Sequence, residues 1–312
     1  MTTSVALLSG GVGGSRLALG LDGVLDPARL TVIANTGDDI DLFGLRICPD
    51  VDILAYTLAG QVHPQGWGIQ GDTFRALDRV KQLGGMGWFN LGDVDLGLHL
   101  FRTELLSQGV GLAEVTRRIA AALGVRCALL PMCEERVNTR IRTDGGLLHL
   151  QEYLVRDRTQ PVVRGVEFDG IAQASPAPGV VEALGQSALV LIAPSNPLIS
   201  IAPILAVPGL RAALRASRAL KVAVSPLVAG ASLKGPTDRM LAQLGQPVSP
   251  LTVAKGYRDV LDVFVLDERD AALRGGIEAL GLRCAVLPTV MTDLAAKQAL
   301  ARHLLALADG SR

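Results

Sequence analysis

The chain has 312 residues, and its 30 basic and 30 acidic side chains balance, so it carries no field able to hold a polyanion such as nucleic acid without specific contacts. Hydrophobic residues make up 49%, yet the apolar runs, such as residues 188–193, end in Pro, Gly or charge far short of the roughly 20 residues that a membrane span requires. The first residues lack the basic stretch, long apolar run and cleavage site of a secretory signal, and the four cysteines are scattered without C-x-x-C spacing, so the expectation is a cytoplasmic protein with reduced thiols.

In chain order, a β-rich run at residues 5–8 leads into Ser9-Gly10-Gly11-Val12-Gly13-Gly14-Ser15 and then a predicted helix from Arg16 through Leu21. A glycine turn between a strand and a helix lets backbone N–H groups and the helix N-terminus approach phosphate oxygens. No Gly-Lys-Ser/Thr follows, which excludes a P-loop, and Arg16 stands where the dinucleotide fingerprint has its third glycine. Phosphate binding is therefore expected without a defined cofactor, the alternative being a tight turn alone.

A second run, residues 30–34, ends at Asn35-Thr36-Gly37-Asp38-Asp39, where an open α/β sheet builds its ligand crevice. Cys48-Pro49-Asp50-Val51-Asp52 follows. Asp39, Asp50 and Asp52 could reach one crevice and hold a divalent cation, with magnesium suited to such hard oxygen ligands. Capping of a helix running through Ala59 is an equally common role for Asp50 or Asp52.

Next come Gly66-Trp67-Gly68-Ile69-Gln70-Gly71-Asp72-Thr73-Phe74 and Trp88-Phe89-Asn90-Leu91-Gly92-Asp93-Val94-Asp95. Aromatics form only 4% of the chain, so two Trp and two Phe in this interval suggest a surface for a flat ring, against the alternative of core filling beneath a loop. Residues 137–143 and 147–153 flank Asp144-Gly145-Gly146 and predict an antiparallel hairpin.

Further β-rich runs fall at residues 189–193, 222–224, 263–266 and 285–287. The first leads into Pro194-Ser195-Asn196-Pro197-Leu198-Ile199-Ser200, whose polar groups could bind phosphate or ribose where a helix begins. Beyond the second lie Ser225-Pro226 and Lys234-Gly235-Pro236-Thr237-Asp238, where Lys234 could neutralise a diphosphate or serve as a solvated loop lysine. His63, His99, His149 and His303 lack metal-binding or triad spacing and are assigned to core or surface. The final predicted helix, about residues 294–307, is assigned to packing.

The alternation predicts an α/β fold: a Rossmann-like, mainly parallel sheet with flanking helices and an antiparallel hairpin insertion. We expect one domain over residues 1–312 with an inserted region at about 93–170.

In their order and spacing, the Ser9 to Ser15 turn, Asn35 to Asp39, Pro49-Asp50-Val51-Asp52, Trp67-Gly68, Leu91-Gly92-Asp93-Val94-Asp95, Leu130-Pro131-Met132, Gln151-Glu152-Tyr153, Pro194-Ser195-Asn196-Pro197 and Met291-Thr292 resemble the 2-phospho-L-lactate transferase family of coenzyme F420 biosynthesis. Its bacterial members are phosphoenolpyruvate transferases. The resemblance implies a homodimeric, magnesium-dependent enzyme that binds a guanosine diphosphate-linked lactate or enolpyruvate and the deazaflavin Fo. The ribityl hydroxyl of Fo attacks phosphorus and GMP leaves, chemistry that needs positioning and charge neutralisation and no covalent nucleophile.

Carried over by position, Asp50 and Asp52 are expected as catalytic or metal-binding carboxylates. Gly11, Gly13, Gly14, Ser15, Ser195, Asn196 and Lys234 are expected to cradle nucleotide and phosphate, and Asp52, Trp67, Trp88 and Asp93 to contact Fo. Val94 departs from the Arg of many relatives, so any acceptor contact of that Arg is lost or replaced. The alternatives are a non-catalytic nucleotide-sugar-binding regulator of the gluconeogenesis-factor kind and, weakened by Arg16, a nicotinamide dehydrogenase.

Overall fold

Strand β1 (Val5–Ser9) presents apolar residues to both faces, and it lies in the interior of a seven-stranded parallel sheet. A computed structural model describes residues 3–64 and 66–309. Helix α1 (Gly11–Asp22) returns the chain to β2 (Leu30–Ala34), beside β1. A small hairpin, β3 (Ile40–Leu42) and β4 (Leu45–Ile47), precedes α2 (Pro49–Leu58), and then α3 (Arg75–Gln82), α4 (Asp93–Ser107) and α5 (Leu112–Ala122) lead to β5 (Ala128–Pro131) at the sheet edge beyond β2.

The predicted hairpin exists as β6 (Asn138–Thr143) and β7 (Gly146–His149), and β8 (Val163–Asp169) pairs on the other side of β6. This antiparallel sheet is narrower than the expected insert, because residues 93–131 build α4, α5 and β5 of the main layers. After α6 (Val180–Gln186), β9 (Leu189–Ile192) enters on the free side of β1. The chain then moves outward through α7 (Ala202–Ala206), α8 (Leu210–Ala216), β10 (Leu220–Val224), the two-residue strands β11 (Leu227–Val228) and β12 (Ala231–Ser232), α9 (Thr237–Gln243) and α10 (Pro250–Tyr257). It ends with β13 (Val263–Asp267), α11 (Arg274–Glu278), β14 (Arg283–Leu287) and α12 (Leu294–Asp309).

The sheet order is β14-β13-β10-β9-β1-β2-β5, so the direction of winding reverses between β1 and β9. Alternation along the strands divides the core. Val5 and Leu7 pack with Leu17, Leu54 and Leu304 from α1, α2 and α12, whereas Ala6 and Leu8 face the layer containing Val180, Ile204 and Ile277. Among the described residues no single helix is long and apolar enough to cross a membrane. Ligands of doubly wound sheets sit beyond the strand C-termini at the reversal, which here means beside Ser9 and Ile192.

Candidate active site

A cavity of about 1140 Å³ opens at that point, lined by the glycine turn, the first turn of α2, the segment after β9 and the Trp67 loop. That is at the upper end of the roughly 300–1,000 Å³ typical of small-molecule pockets.

Each strand end contributes differently. Gly10 and Gly11 spend their amides internally: Ser195 Oγ accepts from Gly10 N and donates to the Gly10 carbonyl at 2.6 Å, and Gly11 N donates to Asp50 Oδ1 at 2.6 Å. Val12 and Gly13, which follow in the first turn of α1 and line the cavity, belong to the helix-terminal amides that have no acceptor inside a helix. Gly14 and Ser15 stand behind this wall. A Cβ on Gly14 would overlap the Ser9 hydroxyl, and Ser15 Oγ donates to the Val12 carbonyl at 3.1 Å. A Cβ on Gly13 would overlap the Pro194 carbonyl oxygen, so this glycine is required by the approach of two backbones.

After β9, Asn196 Oδ1 accepts from Leu198 N at 2.8 Å and caps a π-helical turn, Pro197–Ile201, which places Ser200 on the cavity wall. Asn196 Oδ1 is thus used in capping and Ser195 ties the two loops together, while both residues stand on the cavity wall. Lys234 also lines the cavity, and a Cβ on Gly66 would come within 3.5 Å of its Nζ, so the aromatic loop lies over the α1 turn beside this ammonium.

The carboxylates separate into two kinds. Neither Asp50 nor Asp52 caps its own helix α2. Asp50 is buried, with Asn35 Nδ2 donating to Oδ2 at 2.9 Å, and burial pushes its carboxyl up to about 6 against the two hydrogen bonds. Asp38, also buried and on the cavity wall, is held well above the usual carboxylate range by burial and by the charges of Asp50 and Asp39. Gln151 Nε2 donates to Asp38 Oδ2 at 3.2 Å, but Asp38 Oδ1 is buried without a partner.

Asp39 and Asp52 are instead paired. Arg46 and the Cys48 thiol donate to Asp39 Oδ2 at 2.7 and 3.0 Å, and Asp39 is not part of the cavity wall. Both oxygens of Asp52 accept from Arg102, a side chain only 1% exposed. The expected trio of Asp39, Asp50 and Asp52 is therefore not assembled as one ligand set, although Asp50 and Asp52 both line the cavity, and among the described residues no group of three or more His, Cys, Asp or Glu is placed to hold a metal.

On the aromatic side Trp67, 51% exposed, lines the cavity with Phe74 and Phe89. Trp88 does not, because its ring packs edge-on against Phe89 in a satellite core. Asp93 is also turned away. Its carboxylate accepts from Arg75 N and Ala76 N, each at 3.0 Å, and so holds the start of α3. Val94 is exposed to solvent.

Residues that sequence reasoning passed over occupy the space between. Tyr56, Asp95 and His99 line the cavity, backed by Arg102. Helix α4 buries His99 and Arg102 while leaving Val94, Leu100 and Phe101 exposed, so its hydrophobic pattern points the wrong way. The only signal in the sequence was the spacing of Asp95, His99 and Arg102, which places all three on one helical face.

Fold and cavity together define a doubly wound α/β protein with its site at the winding reversal. Residues 5–278 match the family model described as 2-phospho-L-lactate transferase CofD, and the chain belongs to that family of transferases. It is 41% identical to a phosphoenolpyruvate transferase of Streptomyces griseus, with 99% of each chain covered. It is also 38% identical to a 2-phospho-L-lactate transferase of Methanosarcina mazei, covering 92% of this chain and 94% of that one. Among solved structures, a UPF0052 family member from Bacillus halodurans superposes with a TM-score of 0.62 over 98% of this chain and 99% of that one, at 17% identity, which establishes likeness of fold.

Proposed function

We propose that this transferase moves a phospholactyl or phosphoenolpyruvyl group from a guanosine diphosphate-linked donor to a ribityl hydroxyl of the deazaflavin Fo, releasing GMP. The observation that carries the reading is one cavity with free helix-terminal amides at Val12 and Gly13, aromatic side chains at Trp67, Phe74 and Phe89, and the buried carboxyls of Asp38 and Asp50 on the same wall. The names of the relatives, phosphoenolpyruvate transferase and 2-phospho-L-lactate transferase, support the transferred group.

In this mechanism the amides of α1 and the ammonium of Lys234 hold the donor's phosphates, and the aromatic loop covers the deazaflavin ring. Magnesium fits the Asp38 and Asp50 pair. Two crowded carboxyls, one with an unpartnered buried oxygen, suit an ion that takes one or two carboxylates and completes its shell with water and phosphate oxygens. When bound it would neutralise charge on the group being transferred. Asp39 and Asp52, already neutralised by Arg46 and Arg102, serve in this reading to fix the loop and α2.

Mass spectrometry of Fo incubated with the protein, magnesium and each of the two donors is expected to reveal the adduct of one of them. Absence of product from both would overturn the reading. A homodimer in the cytoplasm belongs to the same proposal, and sedimentation velocity at two protein concentrations tests the dimer.

A further inference from the structure

We propose that Asp95 is the group that receives the hydroxyls of the acceptor's polyol chain, and that His99 is its positioning residue. The inference deepens the function proposed above and rests on it. It replaces Asp93, whose carboxylate is consumed by the start of α3, with the acid two positions later on the same helix.

Asp95 lines the cavity and Asp93 does not. Its Oδ1 accepts from the Tyr56 hydroxyl, and His99 Nε2 stands 3.6 Å from the same oxygen. No described side chain or amide hydrogen-bonds to Oδ2, and Asp95 shares the cavity wall with Phe74 and Phe89 of the aromatic side and Ile53 of α2.

The orientation of His99 follows from donor counting. Arg102 can only donate, and its Nη1 lies 3.2 Å from His99 Nδ1, so Nδ1 is the acceptor and the imidazole proton resides on Nε2, facing Asp95. The same guanidinium grips Asp52, whose Oδ2 is 3.8 Å from His99 Nδ1. Arg102 thereby fixes Asp52 on α2, the tautomer of His99 and, through it, Asp95 on α4. A hydroxyl-bearing acceptor meets a fixed acceptor oxygen, and an analogue without hydroxyls leaves that oxygen desolvated and unpaired, which is how a buried polar group discriminates between ligands.

The test compares Fo and donor binding for wild type, Asp95→Asn, Tyr56→Phe, Asp93→Asn, His99→Gln and His99→Leu, using Fo fluorescence and the melting shift given by GDP. Asp95→Asn is expected to raise the dissociation constant and KM for Fo at least tenfold while the GDP shift stays at the wild-type value. Tyr56→Phe should act in the same direction by a few-fold, and Asp93→Asn should change melting temperature more than Fo affinity. His99→Gln can still accept from Arg102 and present an N–H toward Asp95, so it should retain Fo affinity that His99→Leu loses; equal losses in the two would overturn the positioning role.

Should Asp95→Asn fail to fold, Tyr56→Phe carries the test, and wild-type Fo affinity in that variant would overturn the assignment. A wild type that binds Fo beside an Asp95→Asn variant that binds it equally well overturns this assignment alone. A wild type that neither binds nor converts Fo overturns the function and this assignment with it.

Discussion

Asp50 joins three pieces of the site through one side chain, accepting from Gly11 of the glycine turn and Asn35 beyond β2 while riding on α2. Its raised carboxyl has a thermodynamic consequence whose sign is fixed. Between the ordinary 3.8 and about 6 the folded protein holds a proton that the unfolded chain releases, so stability falls as pH rises through this window. Asp38 is shifted in the same direction by burial and the Asp50 charge. We expect the melting temperature of wild type, relative to Asp50→Asn, to drop between pH 4 and pH 7, and magnesium to recover it at pH 7 in wild type alone. Superimposable melting profiles for the two proteins at both pH values would count against a charged, ion-binding Asp50. Asn is not a neutral replacement here, because Asp50 accepts on both oxygens and an amide would point a donor at one of the two N–H groups. What remained hidden in the sequence was partnership: nothing in the order of residues tells that Arg46 and Arg102 claim Asp39 and Asp52 and that, among the described residues, no cation pairs with Asp38.

Among the elements, α1 and α4 are opposites. The α1 turn was legible because glycine between a strand and a helix has few other uses, yet its glycines divide into those that admit a ligand and those that admit another backbone. Gly13→Ala should cost about 1–3 kcal/mol through overlap with the Pro194 carbonyl, with or without ligand, as read by chemical denaturation. A drop in donor affinity alone would not then identify a phosphate contact. Helix α4 has open space around Gly97, and Gly97→Ala should stabilise the protein by about 0.5–1 kcal/mol. A loss of stability there would mean that something covers this face. The functional face of α4 was illegible because its buried side is charged and its exposed side apolar, the reverse of what periodicity is read to mean.

At the level of the whole molecule, the parallel sheet was readable from six apolar runs, since strands covered on both faces have no alternation to blur them. The edge strand β5 was not, being only four residues long with two of them partly open. Strand order was also beyond reach, and it decides the site: β1 and β9 are neighbours, with Val5 paired to Leu189. Long-range pairing of this kind slows folding, because loop-closure entropy is lost before the contact is gained.

That neighbourhood matters for a chain made from one end. When residues 1–131 have left the ribosome, β1 can pair with β2, and β2 with β5, but the opposite edge of β1 has no strand to meet. At roughly 5–20 residues per second, the strand that covers it emerges on the order of ten to forty seconds after β1 itself. During that interval a strand that is buried along its whole length in the finished protein offers an open row of amides and carbonyls to any neighbouring nascent chain. A fragment truncated after residue 186 should therefore scatter light and pellet where the full chain stays clear, and extension to residue 193 should reduce this more than any equal extension before it. The placement of β9 beside β1 that assembles the active site late is thus also the reason this protein should depend on chaperones early.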